Sequence, residues 1–112
     1  MGIFITQGNF SEQAMKGMVE NPEDRIVAVT GLMESIGAKI IQYYVTLGEY
    51  DFLVVWEADN LTDTVTLLMV IASTGGTSNL KTVQAMTTLE AKGAMERAKQ
   101  ISVGFQAAGA ND

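Results

Sequence analysis

The sequence predicts an α+β domain built on an antiparallel four-stranded sheet, and three observations carry that prediction. Residues 38–58 hold two runs rich in Ile, Val, Tyr and Phe on either side of Gly48-Glu49, the pattern of a β-hairpin. Two stretches of helical periodicity, each with start and stop signals, flank that hairpin. A short apolar strand opens the chain, and another follows the second helical stretch. The order is β-α-β-β-α-β followed by a further helix. That is the ferredoxin-like, split βαβ arrangement with a C-terminal addition.

The elements follow in order. Gly2 to Gln7 reads as a strand apolar on both faces, broken by Gly8-Asn9, and Ser11 caps a brief helical turn through Lys16. Asn21 is placed as N-cap of the first crossover helix, with Pro22 at its first position and Glu23 and Asp24 at the positive end of the dipole. Ile26, Val29, Met33 and Ile36 then recur at helical spacing, and Gly37 ends the helix. A two-residue turn at Gly48-Glu49 opposes Thr46 to Asp51, Tyr44 to Leu53 and Gln42 to Val55. One face of the hairpin then carries Ile41, Tyr43, Val45, Leu47, Tyr50, Phe52, Val54 and Trp56, and reads as core. The other face carries Ile40, Gln42, Tyr44, Thr46, Asp51, Leu53, Val55 and Glu57, and is mixed.

Asn60 or Asp59 caps the second crossover helix, whose inner face is read as Leu61, Val65, Leu68 and Ala72 with Met69 and Ile71 beside them, and Gly75-Gly76 stops it. Leu80 to Met86 is the fourth strand. Residues 89–102 form a C-terminal helix with a narrow stripe of Ala91, Ala94, Met95, Ala98 and Ile101, and 104–112 reads as a flexible tail. Residues 1–112 are expected to form a single domain.

Composition removes several function classes. There is no cysteine and no histidine, so thiolate chemistry and a histidine base are excluded, as are histidine-ligated haem and a Cys/His zinc site. No metal or cofactor is expected. Seven basic residues scattered among thirteen acidic ones, for a net charge of −6, argue against nucleic acid as a partner. No apolar run reaches the roughly 18–20 residues of a membrane helix, and no signal-peptide pattern opens the sequence, so a cytoplasmic protein is expected. Both crossover helices lie on one side of such a sheet, which leaves the other face bare. With its apolar content that face would be a large exposed patch, and the economical resolution is self-association into a homodimer or larger assembly.

The run Leu47-Gly48-Glu49-Tyr50-Asp51, after Tyr43-Tyr44-Val45-Thr46, resembles the signature of the GYD-domain proteins. Ser11-Glu12-Gln13, Trp56-Glu57-Ala58-Asp59 and Asn79-Leu80-Lys81-Thr82 agree with it. The resemblance covers roughly residues 3–90 and implies a ferredoxin-like fold related to the dimeric α/β barrels, in a family without an established activity.

Candidate functional residues lie on the mixed face. Gly48 serves turn geometry, Tyr50 serves packing, and Trp56 belongs to the core. Asp51 is either a cap of turn amides or the base of an acid–base step. Gln42, Tyr44 and Thr46, with Thr82 and Gln84 of the fourth strand, are the candidate lining of an inter-sheet cavity for a small, partly apolar ligand. Their alternative is a wet dimer interface. Lys81 and Arg25 are isolated cations able to meet a carboxylate ligand, or else ordinary surface charges. Two functions fit. One is an oligomeric module that holds a small molecule or a partner in the inter-sheet cavity. The other is a cofactor-independent enzyme, of monooxygenase or isomerase type, acting on a small aromatic or enolisable substrate with Asp51 as base.

Overall fold

Strands form where β-branched and aromatic residues alternate, and helices where a cap precedes an apolar stripe. The computed structural model describes residues 2–109. In chain order they give β1 (Gly2–Phe10), α1 (Glu12–Glu20), α2 (Arg25–Ser35), β2 (Lys39–Val45), β3 (Phe52–Ala58), α3 (Leu61–Ser73), β4 (Thr77–Ala85) and α4 (Thr88–Ser102). The strands make one antiparallel sheet in the order β2-β3-β1-β4. This is the strand order of the ferredoxin-like arrangement, with α1 and α2 in the first crossover and α3 in the second.

The helices start on side-chain caps. Ser11 Oγ accepts from the amide of Ala14, and α1 then runs to Glu20, well past the single turn expected. Asn21 and Pro22 do not open α2. Asn21 ends α1 by donating its amide to the Gly17 carbonyl, and Asp24 caps α2 by accepting from the amide of Ile26. Residues 21–24 offered two capping side chains, Asn21 and Asp24, and α2 used the second of them. Asn60 caps α3 through the amide of Asp63, as expected. Thr87 and Glu90 form a reciprocal capping box at α4.

The core lies between the helices and one face of the sheet. It comprises Phe4, Phe52, Val54, Trp56 and Ala58 from the strands, Met33 and Leu67 from the helices, and Ala38. Trp56 and Leu67 are each only 1% exposed. Burying the indole N–H requires a partner, and Trp56 Nε1 donates to Thr6 Oγ1 at 2.9 Å. The Thr6 and Thr82 hydroxyls share a second bond at 2.8 Å, so a polar chain runs from β3 through β1 to β4 on the core side of the sheet, half-buried at its Thr82 end. Gly8 leaves room above it. A Cβ there would stand 2.8 Å from both Leu80 Cδ2 and Phe52 Cζ.

Three expected face assignments change. In β2 the pairing shifts between Ile40 and Gln42, so the bulged residue Ile41 leaves the core side and Ile40 takes it, opposite Trp56. In α3 the inner face is Thr64, Leu67, Leu68 and Ile71, while Leu61 is 73% exposed. The helix is apolar nearly all round, and Thr64 can be buried because its hydroxyl donates to the Asn60 carbonyl. In β4, Thr82 and Gln84 pair with Thr6 and Phe4, which places them on the helix side of the sheet. The β4 strand also begins three residues before the expected Leu80.

No residue of α4 is buried, and the molecule measures 67 × 29 × 22 Å. A 15-residue helix is about 22 Å long, so α4 accounts for much of that long axis. Residues 104–109 after it hold no strand or helix; the part of the expected flexible tail at 110–112 lies outside the described residues.

Replacing Thr6 by the isosteric Val leaves the Trp56 N–H and the Thr82 hydroxyl without their partner in the core. The expected loss is about 1–3 kcal/mol of unfolding free energy, read from urea denaturation followed by Trp56 fluorescence.

Candidate functional site

The register sorts the open face of the sheet, on the side away from the core, into rows. Across β2, β3, β1 and β4, one row runs Gln42, Val55, Ile5, Val83 and the next Tyr44, Leu53, Gln7, Lys81. A third runs Lys39, Glu57, Ile3, Ala85. The centre is therefore apolar, and the polar side chains sit at the edge strands and the strand ends. Val83, Ile41 and Tyr44 are exposed there at 46%, 40% and 52%.

At one end of this face lies the hairpin loop, residues 46–51. It is wider than the two-residue turn expected: the Thr46 amide bonds the Asp51 carbonyl, and the Thr46 hydroxyl donates to the Tyr50 carbonyl at 2.7 Å. Gly48 adopts φ +118°, a conformation that L side chains rarely take. Leu47 is fully exposed rather than on the core side. Tyr50 does not join the core either. With Gln7, Thr46, Leu47, Glu49 and Lys81 it lines a shallow depression of about 450 Å³ on the open face.

Asp51 faces neither the depression nor the core. Its amide donates to the Gly8 carbonyl, and its Oδ2 accepts from the Phe10 amide at 2.9 Å. Two further bonds tie the same corner: Asn9 Nδ2 donates to the Glu49 carbonyl, and Asn79 Nδ2 donates to Asn9 Oδ1. Asn79 holds φ +52° where β4 carries one residue more than β1. The carboxylate thus continues the β1–β3 ladder past its last backbone pair, Gly8 with Phe52.

Of the residues read from the sequence as a site, Gln42, Tyr44 and Thr46 share the open face, and Thr46 alone lines the depression. Thr82 and Gln84 lie on the other face, and Asp51 is engaged by the β1 backbone. Alternation in β4 was read correctly, and Leu80, which packs against the core, was the signal for which of its two sets faces the helices.

The helix side of the sheet holds a second concavity that sequence reasoning did not assemble. A cleft of about 350 Å³ runs between α1, α2 and α3, lined by Phe10, Met18, Val29 and Leu32 among others. A smaller chamber of about 50 Å³ lies deeper, against Trp56, Met33 and Tyr43. Arg25, Val29, Ile71 and Thr77 line both. Arg25 Nη1 pairs with Glu23 at 3.3 Å, whereas Arg25 Nε and Thr77 Oγ1 are buried without a hydrogen-bond partner. Burial pushes the Tyr43 phenol above its ordinary range, and the Arg25 guanidinium beside it, through a hydrogen bond and its charge, pulls the other way. Among the described residues no group of His, Cys, Asp or Glu is arranged to hold a metal ion. No helix of those residues is long and apolar enough to cross a membrane.

Two outcomes follow. Asp51→Asn keeps an oxygen that can accept from the Phe10 amide, whereas Asp51→Ala removes it, so urea denaturation is expected to show a loss of about 1–3 kcal/mol for Ala and a smaller one for Asn. Tyr43 is favoured as the neutral phenol in the folded chain. The unfolded chain releases that proton first, so stability holds below about pH 10 and falls as pH rises towards the folded value. Tyr43→Phe is expected to flatten this alkaline decline, measured as unfolding free energy across roughly pH 8 to 11.

Comparison with known proteins places this geometry in a family. The GYD domain profile matches residues 4–95. The glutamine synthetase and cystathionine beta-lyase binding protein of Thermus thermophilus is 30% identical over 81 residues, covering 71% of this chain and 84% of that protein. Among solved structures, FFRP-DM1 superposes with a TM-score of 0.55 at 20% identity, over 77% of this chain and 100% of that one. The hypothetical protein PHS023 from Pyrococcus horikoshii gives 0.52 at 18% identity, over 78% and 92% of the two chains. The likeness to these two is one of fold. With the profile spanning β1 to the middle of α4, and the Gly48, Tyr50 and Asp51 loop clipped to the end of β1, the chain belongs to the GYD domain family.

Proposed function

We propose that this chain is a non-catalytic interaction module that pairs with a second copy through the open face of its sheet and, in that form, binds a protein partner. The observation that carries the reading is the composition of that face. Ile3, Ile5, Leu53, Val55 and Val83 occupy its centre, and Lys39, Gln42, Glu57 and Lys81 surround them. An apolar centre inside a polar rim is the anatomy of a protein interface. Two such faces meeting about a two-fold axis form the dimeric α/β-barrel arrangement, and the same patch serves both copies. The depression beside Tyr50 and Lys81 then lies at the margin of the paired sheets, where Gln42, Tyr44 and Thr46 hydrogen-bond across the interface.

The Thermus relative supports the partner half of the reading, since its name makes it a binding protein for two enzymes. Glutamine synthetase and cystathionine beta-lyase are therefore the first partners to test. The enzymatic alternative has less behind it, because the one candidate base, Asp51, is engaged by the Phe10 amide.

Sedimentation equilibrium at micromolar concentration is expected to give a dimer or larger species for the wild type. Ile5→Glu places a charge at the centre of the patch and is expected to weaken association at least about a hundredfold, with far-UV circular dichroism unchanged. A wild-type monomer, or a variant that associates as well as the wild type, removes the proposed interface. Biolayer interferometry against the two enzymes purified from the same organism tests the partner, and saturable binding to at least one is expected.

A further inference from the structure

The cleft on the helix side of the sheet lies across the sheet from the proposed interface, and nothing about it rests on that interface. Its walls are apolar: Phe10, Met18, Val29 and Leu32 in the outer part, Met33 and Trp56 deeper in. Among the described residues that line either part, Arg25 is the one charged side chain. Where the two parts share their lining, two polar atoms are out of reach of solvent and unbonded, Arg25 Nε and Thr77 Oγ1.

Folded chains seldom leave such atoms unpaired, because the lost hydrogen bond is not replaced by water. Nε is also the donor that Glu23 does not use, since the ion pair with that residue is made through Nη1. A guanidinium edge and a hydroxyl lining the same stretch of the cleft are two donors, and a carboxylate can accept from both. From this geometry we infer that the cleft between α1, α2 and α3 is a binding site for a small apolar monocarboxylate, its carboxylate held by Arg25 Nε and Thr77 Oγ1 and its hydrocarbon part lying against Phe10, Met18 and Leu32.

The lining also says what the ligand lacks. A second carboxylate would find no second cation. An α-amino group would find no acid in either part, so the site selects a simple carboxylic acid over the amino acid of the same shape. The outer volume of about 350 Å³ accommodates a short alkyl or aryl chain, within the range of small-molecule sites. Tyr43, kept as a neutral phenol by burial, adds a donor in the inner chamber on the same side of the sheet.

Hexanoate serves as the probe, with hexanamide and norleucine as chain-matched controls, titrated into the isotope-labelled full chain. The ε-methyl NMR signals of Met18 and Met33 report the outer and inner parts. Hexanoate is expected to shift Met18 saturably with a Kd below about 1 mM, and both controls are expected to bind at least about tenfold more weakly. Arg25→Gln is expected to weaken hexanoate about 10- to 100-fold. Thr77→Val, nearly the same shape without the hydroxyl, is expected to weaken it severalfold, and it keeps the test informative if the Arg25 variant fails to fold. No saturable Met18 shift in the folded wild type would mean that the cleft holds no carboxylate, and the inference fails. It fails equally if hexanamide or norleucine binds as well as hexanoate, or if folded variants bind it as well as the wild type.

Discussion

The bond from Trp56 Nε1 to Thr6 Oγ1 decides which side of the sheet is inside. An indole that is 1% exposed has one acceptable position, with its N–H paired and its ring against Phe4, 5.1 Å between centroids. Successive strand residues point to opposite faces, so Trp56 inward sends Val55 and Glu57 outward. Thr6 inward likewise sends Ile5 and Gln7 outward. A slip of one residue would put Ile5 where the hydroxyl must be and orphan the indole N–H. The interaction that closes the core therefore also sets the composition of the face left open.

The glycine, tyrosine and aspartate after which the family is named do three separate things here. Gly48 takes a backbone conformation that side chains resist. Tyr50 turns to the open side of the sheet. Asp51 solves a problem created by strand length: β1 runs on to Phe10, but β3 starts only opposite Gly8. The Phe10 amide would lack an acceptor on that side, and the Asp51 carboxylate supplies one. Asn9 and Asn79 brace the corner where β4 bulges. The loop is thus fastened to β1 more than to itself, which explains how a wide loop with an exposed Leu47 keeps one shape.

Much of this was legible in the residues. The hairpin pairing of Gln42, Tyr44 and Thr46 with Val55, Leu53 and Asp51 holds, because alternation and a central turn signal specify it together. The strand order follows from the sequence of elements. What escaped depends on contacts distant in sequence. The bulge at Ile41 reassigns two isoleucines that local pattern cannot distinguish. Tyr50 looked like core because its neighbours in the pattern were, yet the loop had already left the ladder. Thr82 belongs with Thr6 and Trp56, a hydrogen-bond relation invisible in β4 alone. Arg25 was recognisable as an isolated cation. Its buried edge shows only once α2 is packed beside Thr77, since no periodicity records an unpaired atom.

The two faces of the sheet differ in shape for a common reason. A chain of 112 residues buries about one layer of helix on one layer of sheet, and little beyond it. The uncovered face is broad and pleated, with apolar residues in the middle, so only another broad surface can match its area. The covered face has the reverse geometry. Three helices cannot fill every gap over a twisted sheet, and the gap that remains is narrow, apolar and equipped with one cation. Few polar groups line that gap, and each buried, unpaired atom there would penalise an occupant that fails to meet it. Adjacent residues of β2 carry both specifications: Tyr43 stands beside the cleft, while Gln42 and Tyr44 belong to the open face. A sheet one strand thick is enough to keep them apart.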